Sequence, residues 1–220
     1  MNDHSSTDRP PLDNVTVLDH PLVSHKMSLL RQVSTEPQMF RALCNEITLL
    51  TAYEALRDLP TEPITIETPI TTTVARQLAK PAPVVVGILR AGLIMVEAIL
   101  TLVPNAAVGH LGMFRDPDTH EPVEYYNKLP VDVAEREVIL VDPMLATGGS
   151  AVAALDALVG AGCTKIRLIS IIGCPEGVAA VHAAHPDVPI TLSALDERLN
   201  EHAYIVPGLG DAGDRIYGTK

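Results

Sequence analysis

Val138-Ile139-Leu140-Val141-Asp142-Pro143-Met144-Leu145-Ala146-Thr147-Gly148-Gly149-Ser150 decides how this chain of 220 residues is read. Four β-favouring aliphatic residues run into an acid and then a loop of small residues. Ala151-Val152-Ala153-Ala154-Leu155 behind the loop is a good helix former. This order predicts a buried strand, a tight turn and a helix N-terminus. Gly148 and Gly149 let backbone approach a ligand and tolerate positive φ, while Thr147 and Ser150 bring hydroxyls. Unpaired amides under the positive end of a helix suit an anion of phosphate size. The loop lacks the Gly-Lys-Ser/Thr ending of a Walker A sequence. An acid at the strand end suits ribose hydroxyls or a metal ion. The stretch reads as a site for a phosphorylated sugar, against the plainer alternative of an ordinary glycine-rich strand–helix turn.

Upstream, Pro81-Ala82-Pro83 precedes Val84-Val85-Val86-Gly87-Ile88-Leu89, a continuous aliphatic run that reads as a buried strand ending on Arg90. A helix from about Gly92 to Leu102 and a strand from Ala107 to Phe114 follow. Between Arg115 and Pro130 the rhythm changes. Asp116-Pro117-Asp118 marks a turn and Val123-Glu124-Tyr125-Tyr126 a strand, which predicts a protruding hairpin. Earlier, Phe40, Leu43, Ile47 and Leu50 recur at helical spacing, so Pro37 to Leu59 is read as an amphipathic helix stopped before Pro60. Downstream, the helix after the loop ends around Gly160-Ala161-Gly162. Ile166 to Ile172 is a strand, Glu176 to Ala184 a helix, and Ile190 to Leu195 a last regular strand. Met1 to Leu12 is polar, carries Pro10-Pro11 and is expected to be a mobile tail, leaving 13–220 as one domain. Alternating strands and helices predict an α/β fold with a doubly wound, mostly parallel sheet, flanking helices and right-handed crossovers. Ligands in such sheets sit beyond the strand C-terminal ends, where Arg90 and the Asp142 loop fall.

Composition bounds the function. Apolar residues are 47 % of the chain, so a core is easily built; aromatics are only 3 % with no Trp, which disfavours a base-stacking surface. A net charge of −11 argues against a general nucleic-acid binder. An acidic protein that handles a polyanionic sugar must concentrate positive potential locally, through amides, a few arginines and a divalent cation. Cys44, Cys163 and Cys174 have no regular spacing and are expected as reduced thiols of a cytoplasmic protein, the latter two as core residues. No apolar run approaches the roughly 20 residues needed to span a bilayer. His182 and His185 could suggest zinc, but no third ligand accompanies them, and an exposed helix face is the expectation. Gly208-Leu209-Gly210-Asp211-Ala212-Gly213 is formally G-x-G-x-x-G, yet no helix and returning strand can follow within the printed sequence. It reads as a glycine-rich loop offering main-chain groups to a small planar ligand.

The stretch from Asp142 to Ser150 resembles the phosphoribosyl diphosphate signature of type I phosphoribosyltransferases. Its Asp-Pro-Met-Leu-Ala-Thr-Gly-Gly-Ser form, with Pro143 where most of that group has a second acid, is similar to the uracil phosphoribosyltransferases. Ile88-Leu89-Arg90-Ala91-Gly92-Leu93, Pro175-Glu176-Gly177, Leu199-Asn200-Glu201 and the tail from Tyr204 to Asp214 extend the likeness over about Asp19 to Lys220. The resemblance implies transfer of a phosphoribosyl group from 5-phospho-α-D-ribose 1-diphosphate to uracil, giving UMP and diphosphate in pyrimidine salvage, with Mg2+ as cofactor. It implies that Arg90, Arg115, Asp211 and the run Asp142, Pro143, Met144, Leu145, Ala146, Thr147, Gly148, Gly149 and Ser150 contact phosphoribosyl diphosphate. Ile205, Gly210, Asp211 and Ala212 would bind uracil, mainly through backbone groups. Arg90, Asp142 and Asp211 are the candidate catalytic residues, and Asp142 and Asp211 the candidate metal ligands, directly or through water. Ile94 and Arg198 stand where typical members have Gly, at positions without an implied contact. Two other readings are a phosphoribosyltransferase for another base, which the complete Tyr204 to Asp214 tail disfavours, and an RNA-binding attenuator-like regulator on the same fold. The regulator would need a basic face and the two-acid signature. Partners are therefore expected to be the two small substrates, with no nucleic acid, no membrane, and self-association into a dimer or tetramer.

Overall fold

A computed structural model describes residues 14–115 and 122–219. In chain order the elements are β1 (Val15–Val17), α1 (Pro21–Arg31), α2 (Pro37–Ala55), β2 (Thr61–Glu67), β3 (Thr72–Leu78), β4 (Val84–Leu89), α3 (Leu93–Leu102), β5 (Ala107–Arg115) and β6 (Pro122–Lys128). Then follow β7 (Val138–Val141), β8 (Met144–Leu145), α4 (Gly149–Gly160), β9 (Ile166–Gly173), α5 (Pro175–Ala184), β10 (Ile190–Leu195), β11 (Arg198–Leu199), β12 (Ile205–Val206) and α6 (Ala212–Tyr217).

The main sheet runs β1-β10-β9-β7-β4-β5-β6, with β8 added against β9. Every neighbouring pair is parallel except β5–β6, which is antiparallel at the edge. The central strands read as unbroken aliphatic runs because both faces are covered. Their alternation still sorts side chains between two cores. Val85, Ile139, Val141 and Ile169 pack with Phe40, Leu43, Ile47, Met95 and Ile99 from α2 and α3. Val84, Val86, Val138, Leu140 and Leu168 pack with Ala154, Leu155, Leu158, Val178 and Val181 from α4 and α5. The chain leaves β4 for β5 on one side and β7 for β9 and β10 on the other, so the strand order reverses between β4 and β7. At such a reversal the connections diverge and leave a crevice at the strand C-termini. This is the doubly wound, mostly parallel sheet that the sequence predicts.

Several elements differ from expectation. The amphipathic helix ends at Ala55 rather than Leu59, since Leu56 leaves helical geometry at φ −102°, ψ 13°. Arg57 and Leu59 then donate to Glu54 O and Leu56 O in successive tight turns. α1, β1 and the separate antiparallel β2–β3 hairpin are additional to the elements read from sequence. The β5–β6 hairpin is present, and β5 runs on past its last pairing with β4 at Leu89↔Gly112 with only β6 beside it. The expected turn at Asp116-Pro117-Asp118 and the expected tail Met1 to Leu12 lie outside the described residues.

Candidate active site

β7 is buried along all four residues and delivers Asp142 to the C-terminal edge of the sheet. The signature loop is then tied down from one side. Pro143 O accepts from the N–H groups of Ile171 (3.2 Å) and Ile172 (3.0 Å), and Leu145 O accepts from Cys174 N–H at 3.2 Å. The Cys174 thiol donates to Ala146 O at 3.1 Å. Gly177, in the first turn of α5, sits so close that a Cβ there would lie 2.5 Å from both Leu145 O and Ala146 O. The sequence motif Pro175-Glu176-Gly177 is thus the surface on which the loop rests. Its Glu176 carboxylate accepts from Leu199 N–H at 2.9 Å and joins α5 to β11.

Gly148 caps α4 at φ +81°, a conformation that favours glycine, and Val152 N–H to Gly148 O (2.8 Å) is the first helical bond. The amides of the preceding first turn have no intrahelical acceptor, and α4 carries no acid there. A 12-residue helix therefore presents an uncompensated positive end behind Asp142. Burial pushes the Asp142 carboxyl up to about 7.

Arg90 follows β4 directly and is exposed, and the Leu89–Arg90 peptide is cis. Gly92 explains why its turn abuts the Asp142 turn. A Cβ at Gly92 would stand 2.6 Å from Ile88 O and 2.7 Å from Val141 O, so only glycine lets the two strand ends close up. The C-terminal helix completes the arrangement. Tyr217 Oη donates to Arg90 O at 2.9 Å, and the Arg90 guanidinium lies 5.5 Å from the Tyr217 ring centroid. Burial raises the Tyr217 hydroxyl pKa, and Arg90 opposes that rise. A side chain at Gly213 would approach both Asp211 Oδ1 (3.3 Å) and Arg90 Nη2 (3.9 Å), which puts those two groups on either side of one small space. Asp211 also caps α6, its Oδ1 accepting from Asp214 N–H at 2.8 Å.

The glycine-rich tail forms the loop between β12 and α6. Leu199↔Ile205 pairing closes a short hairpin whose turn is organised by Asn200 Oδ1, which accepts from His202 and Tyr204 N–H, each at 2.9 Å. Leu199-Asn200-Glu201 is accordingly a turn motif that positions Ile205. Gly208 (φ +65°) and Gly210 (φ +83°) carry the chain round to the buried Ala212.

Arg90, Asp142 to Ser150 and Ile205 to Ala212 are thus gathered at one end of the sheet. Arg115 ends β5, at the same end because β5 is parallel to β4; its side chain lies outside the described residues. The expectation of an exposed helix face for His182 and His185 is corrected. His182 Nε2 is buried without a hydrogen-bond partner among the described residues, and His185 leaves the helix as its C-cap and pairs with Asp156 at 2.9 Å. Cys163 and Cys174 are buried with raised pKa, Cys174 up to about 11, as core residues should be. Among the described residues, no three His, Cys, Asp or Glu side chains gather as a metal site, and no helix is long and apolar enough to cross a membrane. Tyr217 has no signal in the sequence beyond a polar group spaced among the apolar positions of a short terminal helix.

A switch-point crevice with a helix start behind Asp142 and a guanidinium behind the adjoining strand defines the type I phosphoribosyltransferase class. A family model described as uracil phosphoribosyltransferase matches residues 17–219. The chain belongs to the uracil phosphoribosyltransferase family. It is 58 % identical over 209 residues to the uracil phosphoribosyltransferase of Symbiobacterium thermophilum, covering 95 % of this chain and all of that one. The AQ2163 protein of Aquifex aeolicus superposes with TM-score 0.89 at 38 % identity, over 94 % of this chain and 99 % of that chain. An adenine phosphoribosyltransferase from Trypanosoma brucei shares the fold at TM-score 0.54 and 14 % identity, over 90 % and 88 %.

Proposed function

We propose that this protein is a pentosyltransferase that converts uracil and 5-phospho-α-D-ribose 1-diphosphate to UMP and diphosphate. The observation that carries the reading is that α6, which follows the glycine-rich loop, touches the Arg90 turn through Tyr217, while Asp211 Oδ1 and Arg90 Nη2 both lie within 4 Å of the Gly213 Cβ position. Ala146 to Ser150 cradle the 5′-phosphate, Asp142 engages the ribose hydroxyls, and Pro143 to Leu145 complete the contacts with phosphoribosyl diphosphate. Arg90 and Arg115 contact the diphosphate, for which a planar guanidinium fork is well shaped. Ile205, Gly210 and Ala212 present backbone donors and acceptors to uracil, whose two carbonyls flank one N–H. A close-fitting backbone excludes purines, and its donor pattern opposes the amino group of cytosine.

In the reaction, uracil N1 bonds to ribose C1 as the bond from C1 to the diphosphate oxygen breaks, and the N1 proton passes to solvent water or to the departing diphosphate. No covalent intermediate with the protein is required. The chain contributes by aligning N1 with C1 and by meeting charge as it develops on the leaving group at Arg90. The oxygen donors of Asp142 and Asp211 suit Mg2+, a hard cation that keeps most of its waters and would neutralise diphosphate charge. Asp211 approaches the phosphoribosyl diphosphate from the base side. The reading includes a cytoplasmic location, for which three unbridged thiols are fitting, and self-association into a dimer or tetramer.

Diphosphate release tests the reading directly, from phosphoribosyl diphosphate and Mg2+ with uracil, cytosine, hypoxanthine, adenine, orotate or no base. Release with uracil alone is expected. Release with another base would keep the Asp142 loop and overturn the assignment of the C-terminal loop.

A further inference from the structure

The loop between β12, which ends at Val206, and α6, which begins at Ala212, carries Gly210. Its anchor is a pair of side chains separated by 165 positions in sequence. Arg31, the last residue of α1, grips Asp196 through both ends of its fork: Nη1 to Oδ2 at 2.7 Å and Nη2 to Oδ1 at 2.6 Å. Together they hold both backbone groups of one loop residue, in two successive peptide units. Gly208 N–H donates to Asp196 Oδ2 at 2.7 Å, and Gly208 O accepts from Arg31 Nη1 at 2.8 Å. The Asp196 side chain is only 6 % exposed, so the ion pair works where solvent screens it little. Asp196 is itself fixed, its own N–H bonded to Gly173 O at 2.8 Å where β10 leaves β9. Glu197 N–H to Val206 O, 3.0 Å, ties the same turn to the start of the loop. A second arginine holds the next residue: Arg215 Nη1 donates to Leu209 O at 2.8 Å and to Leu30 O at 2.9 Å.

Gly208 is where the clamp meets the tightest point of the loop. It sits at φ +65°, and a Cβ there would be 2.1 Å from Ile205 O, so its place is set by close backbone approach on one side and by the clamp on the other. Gly210 and Ala212 follow within four residues, and any shift at Gly208 is passed on to their amides. The chemistry of base recognition by backbone groups makes this consequential, since a backbone reader can be aimed only through what holds the backbone.

We propose that Arg31 and Asp196 are positioning residues for base recognition. They set the place of the Gly210 and Ala212 amides, and with it the affinity for the base, although neither belongs to the contacts assigned to the substrates. The proposal rests on the reading of this loop as the base site.

Asp196→Asn keeps the shape but removes the charge, and Arg31→Lys keeps the charge but removes the fork. For each full-length variant, hydrogen exchange of the segment Val206–Ala212 is measured beside KM for uracil, KM for phosphoribosyl diphosphate and kcat. Local exchange should accelerate and KM for uracil rise roughly tenfold or more. KM for phosphoribosyl diphosphate should stay within about twofold, and Arg31→Lys should fall between wild type and Asp196→Asn. Unchanged exchange in the segment overturns the clamp, and so does an equal rise in both KM values. Arg31→Lys decides alone where Asp196→Asn does not accumulate folded protein. Wild-type turnover with a base other than uracil would refute the uracil reading while leaving the clamp to be judged by exchange and by KM for that base.

Discussion

The carboxyl of Asp142 stands at the end of a fully buried strand, and burial pushes it up to about 7. In an unfolded chain the same group loses its proton near 4. Below about pH 4 both states are protonated, and the residue makes no pH-dependent contribution. Between about 4 and 7 the folded state alone keeps the proton, so stability falls as pH rises through that window and stays lowered above it. At about 1.4 kcal/mol per pH unit, an ionised Asp142 costs the substrate-free fold up to roughly 4 kcal/mol. Such a cost to the fold is what the ligand-binding role proposed for Asp142 would require the protein to tolerate. Asp142→Asn should therefore raise the melting temperature at pH 8 by several degrees, at most on the order of 10 °C, while lowering turnover by roughly a hundredfold or more. Thermal unfolding of both proteins from pH 4 to pH 9 is the check. A difference that stays constant across that range would sink the burial argument.

At the scale of elements, α5 supports the signature loop through the absence of a side chain. Gly177→Ala would put a methyl 2.5 Å from two carbonyl oxygens, and backbone must move to admit it. A cost of about 1–3 kcal/mol is expected, with a raised KM for phosphoribosyl diphosphate because the displaced residues are Leu145 and Ala146. Gly160→Ala is the matched control. It lies at the end of α4 with nothing within 4 Å of its Cβ position, so the change should be neutral or mildly stabilising. Equal tolerance of the two substitutions, by denaturant unfolding and steady-state kinetics, would disprove the packing account. Elements of this kind were legible where chemistry and period agree. The runs Val84–Leu89 and Val138–Val141 are apolar because both faces are covered, and the glycine loops stand at their ends. The α1 signal was present but short: buried Val23, Met27 and Leu30 follow Pro21 at helical spacing, with His20 accepting the Leu22 N–H. β2 was hidden by Pro63, which demotes a strand in sequence yet is accepted here in a two-stranded ribbon with no further neighbour. The Arg31–Asp196 clamp has no local signature, since only the folded topology brings the end of α1 to the end of β10.

For the whole molecule, charge is unevenly placed: a chain of net charge −11 brings the Arg90 guanidinium and the start of α4 together at the crevice between β4 and β7. The apolar surface is equally uneven. The β2–β3 ribbon forms its own sheet, and its root joins the chain at Ala79 N–H to Pro60 O, near the start of β4 and so at the end of the sheet opposite Arg90. Ile70 at its turn is 91 % exposed and Val74 on β3 is 68 % exposed. A two-stranded ribbon is marginal in water without a covering surface. Burial of each such side chain against a second copy would contribute roughly 1.5–3 kcal/mol. The ribbon is therefore the expected contact surface for the self-association proposed for this protein. Light scattering on the eluting protein should give the wild type a mass that is a multiple of 23.5 kDa. The double variant Ile70→Lys with Val74→Lys should run closer to the subunit mass, because each lysine would have to be desolvated to restore the contact. A wild type of subunit mass would remove the proposal of self-association. A double variant that keeps the wild-type multiple would instead move the interface elsewhere, leaving the ribbon's exposed side chains to be explained by another contact.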